Sequence, residues 1–134
     1  MKNLLALIAL GACMTTVFPA HAANETAQQQ FQRVSDEYFD TVYFPNQPTV
    51  GTLTGYHQYD ARLEDYSRKS IDAWVAALHG FEKRVEAIPP GSLNQTTRGD
   101  REMVLSNIRS TLLSLETIRS WEKNPDTYSI GMSN

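Results

Sequence analysis

Two apolar stripes separated by a Pro-Pro-Gly break leave this chain few ways to fold. Ile71, Trp74, Val75, Leu78, Phe81, Val85 and Ile88 recur at intervals of three and four, a spacing that places them on one face of a helix and scatters them over both faces of a strand. Val104, Leu105, Ile108, Leu112, Leu115 and Ile118 repeat the pattern. Between the stripes, Pro89-Pro90-Gly91 ends the first helix and leaves a connection too short for the second to depart, which predicts an antiparallel helical hairpin. Ser67 or Ser70 opens the first of these helices. The second is expected to start between Thr97 and Asp100 and to end near Trp121, with Asn124-Pro125 closing it. No segment shows the alternation of a strand, so the expected fold class is all-α: long antiparallel helices with an ordered loop rich in aromatics, glycine and proline, forming part of a larger helical domain.

Thr26 and Gln29 have the spacing of a capping box, and Phe31, Val34, Tyr38 and Val42 continue a helical stripe. A helix from Thr26 to Tyr43 follows, with Phe44-Pro45 expected to end it. The connection from Tyr43 to Ser67 is punctuated by Pro45, Pro48, Gly51 and Gly55, and Pro48 suits the first turn of a short helix through Leu53. More than half of the aromatic residues (Tyr38, Phe39, Tyr43, Phe44, Tyr56, Tyr59, Tyr66) lie in or just before this connection. It is therefore expected to be packed, and ordered loops often carry function.

The first 22 residues have the layout of a secretory signal: Lys2, the apolar run Leu4 to Leu10, and Ala20-His21-Ala22 as a small-x-small cleavage site. Thr15, Thr16, Pro19 and His21 interrupt the apolar run before it reaches the length of a membrane span. The expected product is exported, periplasmic or extracellular, with its domain over residues 23–134. Leu10-Gly11-Ala12-Cys13 offers a competing reading as a lipobox, with Cys13 lipidated and the protein anchored to a membrane. Soluble export is preferred, because the apolar stretch before Cys13 is short and Ala20 and Ala22 would then have no purpose. Cys13 is the only cysteine, so cleavage leaves neither a disulfide nor a thiol nucleophile. The formal charge of −3 becomes more negative when Lys2 leaves, which argues against nucleic acid and anionic membranes as partners. The tail from Ser129 to Asn134 carries no helix-ending charge and little apolar anchor, and predicts a chain that continues into further protein.

Chemistry-bearing residues are few. His57 and Asp60 are three apart, as are His79 and Glu82; together they make a four-ligand metal site only if the two pairs converge, which spacing does not supply. The simpler expectation is a loop histidine held by Asp60 or a backbone carbonyl, and a solvated or partly packed His79 beside Gly80. Glu64-Asp65 suggests acid–base carboxylates, but adjacent residues point apart and Asp65 suits a helix start. Asp36-Glu37, Glu82-Lys83-Arg84 and Asp100-Arg101-Glu102 read as solvated charge runs, and Gln28-Gln29-Gln30 as a solvated face. Trp74, Phe81 and Trp121 read as core. Three helices with this many large residues also predict an apolar surface left for further protein to cover. No G-x-S-x-G, H-E-x-x-H, phosphate-binding glycine loop or Cys-x-x-Cys is present. No catalytic residue and no metal ligand is assigned.

The ordered set Tyr43-Phe44-Pro45, Pro48-Thr49 with Gly51-Thr52, Gly55-Tyr56-His57-Gln58-Tyr59-Asp60, Leu63-Glu64-Asp65-Tyr66-Ser67, and Trp121 followed by Asn124-Pro125-Asp126-x-Tyr128 resembles the N-terminal region of the bacterial family called domain of unknown function 885 (DUF 885). The likeness covers residues 31 to 130. It implies a much longer, largely helical, exported or lipid-anchored parent that looks related to zinc-dependent peptidases, with its zinc on a His-Glu element far downstream of the region matched. This chain would then be the N-terminal part of a metallopeptidase-like hydrolase. It would be inactive alone, its partners the remainder of its own longer chain and the parent's peptide substrate. Tyr56, His57, Tyr59 and Asp60 would line or brace the substrate cleft. The rival expectation is a complete small periplasmic helical module that binds a partner protein through its aromatic stripe.

Overall fold

Thr26 starts the fold as the spacing predicts. Its hydroxyl accepts from the Gln29 amide while the Gln29 side chain accepts from the Thr26 amide, a reciprocal cap that satisfies two otherwise unpaired donors. The computed structural model describes residues 25–125. The leader, with Cys13, Ala20 and Ala22, lies outside the described residues, as do Tyr128 and the tail. The cap opens helix α1 (Ala27–Tyr38), which runs without interruption into a π-helical turn at Phe39–Tyr43 and then into α2 (Phe44–Asn46). The helix thus passes Phe44-Pro45 where the sequence predicted its end. In a regular α-helix the Pro45 ring would press on the Thr41 carbonyl. The wider turn, in which the Phe44 amide donates to the Phe39 carbonyl five residues back, relieves that clash. The Asn46 side-chain amide donates to the Val42 carbonyl at 2.7 Å.

Pro48 takes its expected place in the first turn of α3 (Pro48–Leu53). A 3₁₀ turn at His57–Tyr59 follows, then the long helix α4 (Arg68–Glu86). The α4 cap is Ser67, whose side chain accepts from the Ser70 amide, and Asp65 accepts from the Ser67 amide at 2.9 Å. That backbone bond, with the neighbouring hydroxyls, holds the Asp65 carboxyl below the ordinary carboxylate range. The reading of Asp65 as a helix-start residue stands. A 3₁₀ turn at Pro90–Ser92 leads to α5 (Gln95–Leu112), which begins earlier than the Thr97-to-Asp100 expectation. The reason is Asn94, whose side chain accepts from the Thr97 amide at 2.8 Å, a strong cap hidden in a polar run.

Helix α5 widens into a second π-helical turn at Leu113–Ile118 and breaks at Arg119, which adopts the left-handed conformation with φ 55°. Trp121 therefore belongs to a separate turn, α6 (Ser120–Lys123), and folds back so that its indole N–H donates to the Leu115 carbonyl at 3.0 Å. Lys123 Nζ donates to the Ile118 carbonyl. These side chains satisfy helix-end carbonyls, of which every helix leaves several unpaired. The wide turn also overturns one predicted core position: Ile118 is 54 % exposed, whereas Leu115 is buried. An extra residue per turn rotates Ile118 off the stripe.

Helices α4 and α5 pack against each other, and α1 packs on both. Their polar links run in opposite directions along the two helices, from Arg101 to Glu86 and Ile88, from Arg109 to Glu82 and Glu86, and from Glu116 to His79, so the pair is antiparallel as the short connection requires. The stripes meet in one core made of Phe31, Val34 and Tyr38 from α1, the buried face of α4, and Val104, Leu105, Ile108 and Leu112 from α5. Tyr38 sits at the centre, its hydroxyl donating to Asn107 Oδ1 at 2.7 Å. Burial, with Tyr43 adding to it, pushes its phenol well above the ordinary tyrosine range. No strand occurs among the described residues, and none of their helices is long and apolar enough to cross a membrane. The chain is all-α.

One charge run is not a surface. Arg101 is only 7 % exposed. Its guanidinium donates to the Ile88 carbonyl at 3.0 Å and to the Glu86 carbonyl at 3.3 Å, with Glu102 on the third nitrogen at 2.5 Å. It closes the negative end of α4 from the neighbouring helix. The flanking Asp100 and Glu102 are exposed, as a solvated run requires.

Candidate functional site

The connection between α2 and α4 is held from inside, and its buried anchor is Tyr59. An ideal Cβ on Gly51 would sit 2.8 Å from Tyr59 Cδ2, so the α3 backbone and the ring approach as closely as a glycine permits. Thr49, in the first turn of α3, gives its amide and hydroxyl to the two carboxylate oxygens of Glu64, at 3.1 and 2.8 Å. Glu64 therefore ties the far strand of the loop to the start of α3, where the helix dipole favours a negative charge. Both of its carboxylate oxygens are engaged in this structural tie.

Asp60 is a second clamp. One of its oxygens accepts from the Thr52 hydroxyl at 2.9 Å, and the other lies 3.2 Å from His57 Nδ1. The loop histidine is thus held by Asp60, the simpler of the two expectations. The His57 ring is largely open to solvent. Tyr56 is half-exposed and stacks on Phe44, with ring centroids 4.4 Å apart and planes inclined by 29°. The four residues proposed to line or brace a cleft thus divide: Tyr59 braces from within, while Tyr56, His57 and Asp60 form an outward ridge.

The chemistry available to this ridge is limited. A carboxylate orienting an imidazole is half of a general-base arrangement. Among the described residues no hydroxyl donates to the His57 ring, since the nearby Thr52 hydroxyl is given to Asp60. His79 is occupied differently: its Nε2 lies 3.1 Å from Glu116 and its Nδ1 3.7 Å from Glu82, and Glu82 also accepts from Arg109. The two histidine pairs do not combine. Among the described residues no three His, Cys, Asp or Glu side chains gather in a group fit for a metal ion. Zinc does not fit at these residues.

The sequence assigns no role to Thr49 or Thr52, and Glu64 enters there only as half of an acidic pair. Their one legible signal is the density of Thr around Gly51, which suits hydroxyl bonds to nearby groups. No protein-family model matches the chain, and no curated protein or solved structure matches it.

Proposed function

We propose that this chain is the helical N-terminal part of an exported, metallopeptidase-like hydrolase of the domain of unknown function 885 type, lacking the catalytic metal site and contributing helices that roof or brace the substrate cleft. The observation that carries this reading is the division of the loop. Tyr59, Glu64 and Thr49 fix the loop's inner side, and the Tyr56-His57-Asp60 ridge is left facing outward. A rigid loop with an unused aromatic and imidazole face suits positioning of a ligand that other residues transform. Leu53 and Leu63, 79 % and 66 % exposed on the same connection, add apolar surface of the kind that further protein covers.

Reading the native locus past the codon for Asn134 tests the proposal. A frame continuing into a long helical region with a His-Glu metal element supports it; a stop codon with no resumed frame overturns it. In the longer protein, His57→Ala with Asp60→Ala is expected to lower peptide turnover without unfolding the protein. Equal loss of thermal stability and activity would reduce the ridge to a structural bracket. The second reading, a partner-binding module, is favoured by the exposed Met103, Leu113 and Ile118 of the α5 region, and the same locus separates the two.

A further inference from the structure

Asp36 and Asp40 stand one helical turn apart, exposed, where α1 passes into its wide turn. Carboxylates so placed repel each other, and such charges usually recruit a neighbouring cation. The nearby arginines are committed elsewhere: Arg33 binds Glu25 at 2.9 Å, and Arg84 binds Glu37 through two bonds. Among the described residues neither Asp36 nor Asp40 is ion-paired. Asp36 receives only a neutral hydrogen bond, from Gln32 Nε2 at 2.8 Å.

These two carboxylates open onto aromatic rings. Asp36, Phe39, Asp40, Phe44 and Tyr56 line a recess of about 300 Å³. Asp36 and Phe39 also belong to an adjoining groove of about 550 Å³, on whose α5 side stand Asp100 and Met103. Phe44 is buried and Tyr56 stacks on it, so the aromatic wall is pre-formed and a ligand need not order it.

From this arrangement we infer that the recess binds an organic cation, an alkylguanidinium or alkylammonium group. Each rival class fails on one feature. An anion would meet two unpaired carboxylates. A neutral apolar molecule would have to desolvate them without return. A hard divalent ion needs a shell of oxygens, and in this recess two carboxylates share the site with three rings. An organic cation uses both features: the carboxylates neutralise its charge, and the rings contribute cation–π attraction and apolar contact. The adjoining groove accepts the alkyl body, with Met103 as an adaptable apolar surface. The cation is either a free small amine or guanidine, or the side chain of a lysine or arginine in a peptide.

Amide NMR on the full chain tests this, with n-butylguanidinium and its uncharged analogue n-butylurea as a matched pair and N-acetyl-arginine amide as the peptide-like probe. At millimolar concentration n-butylguanidinium is expected to shift the amides of Asp36, Phe39, Asp40 and Tyr56 saturably, and n-butylurea is not. Asp36→Asn with Asp40→Asn is expected to weaken binding by about tenfold or more while leaving signals outside the recess unchanged. Tyr56→Ala, on the exposed side of the stack, gives an independent loss. Tighter binding of N-acetyl-arginine amide than of n-butylguanidinium assigns the site to a basic peptide side chain, and the reverse order to a free cation. The inference is overturned if n-butylguanidinium gives no saturable shift, if n-butylurea binds equally, or if the double Asn variant binds as the parent does. The recess shares only Tyr56 with the loop ridge, and the test reads binding to this chain alone, so it stands or falls separately from the peptidase reading.

Discussion

Replacing Arg101 by methionine tests whether a side chain from one helix holds the end of another. The substitution keeps a flexible stem of similar shape and removes the guanidinium, so the Ile88 and Glu86 carbonyls lose their donors. A hydrogen bond to a charged group contributes about 1.5–3 kcal/mol net. The Ile88 bond, at 3.0 Å and buried, belongs in that range; the Glu86 bond, at 3.3 Å and partly buried, belongs below it, because water can replace the donor there. Against these losses stands the relief of no longer burying a cation, which offsets part of the sum. The net expectation is a destabilisation of about 2–4 kcal/mol, a large share of the roughly 5–15 kcal/mol that holds a domain together. For a domain of this size that corresponds to a melting point lower by about 10–25 °C. Thermal unfolding followed by far-ultraviolet circular dichroism reads it. Arg101→Lys, which keeps the charge but lacks the fork that reaches both carbonyls, is expected to fall between parent and Met variant. Glu102→Gln, at an exposed carboxylate, is expected to change little. A Met variant melting within about 0.5 kcal/mol of the parent would show that Arg101 behaves as a solvated surface charge, and would refute the capping of α4 by its neighbouring helix.

The other predictions concern the loop and the surface charges. Gly51→Ala forces a methyl group against the buried Tyr59 ring at 2.8 Å, and is expected to destabilise by about 1–3 kcal/mol as overpacking; it should be largely rescued by Tyr59→Leu, and strict additivity of the two in a double-mutant cycle would refute the contact. The Arg84 hydrogen bonds hold the Glu37 carboxyl below the ordinary carboxylate range, and Glu25 and Asp65 shift in the same direction. A depressed folded-state pKa gives stability that is present above the unfolded carboxylate pKa and is lost as pH falls through the folded one. The melting temperature is therefore expected to drop from neutral to acid pH, and Glu37→Gln to flatten part of that slope. Coincident slopes for parent and variant would exclude the pair as a contributor.

What was legible in the sequence follows from the range over which each interaction acts. The Thr26–Gln29 box is set within four residues, and the stripes from Ile71 to Ile88 and from Val104 to Leu115 follow a regular period, so these could be read from spacing, whereas the choice of Ser67 over Ser70 as the α4 cap could not. The departures occur where the helical period itself changes or where a contact arrives from elsewhere. Pro45 is carried inside a continuing helix by a wide turn, and Ile118 is rotated outward by another, although its spacing matches the stripe. Arg101 is the sharper case, because Asp100-Arg101-Glu102 has the composition of a solvated run. Only the arrival of the α4 terminus beside it turns a surface arginine into a buried cap. The candidate sites obey the same rule. The His57–Asp60 contact, three residues apart, was legible. The recess was not, because Asp36, Phe39, Asp40 and Phe44 come from one continuous helical run, whereas Tyr56 reaches them only after α3 and the Gly55 turn fold it back onto Phe44. The same folding-back orders the loop and forms the recess. A substitution that loosens the Gly51–Tyr59 approach should therefore weaken cation binding even though neither residue lines the site.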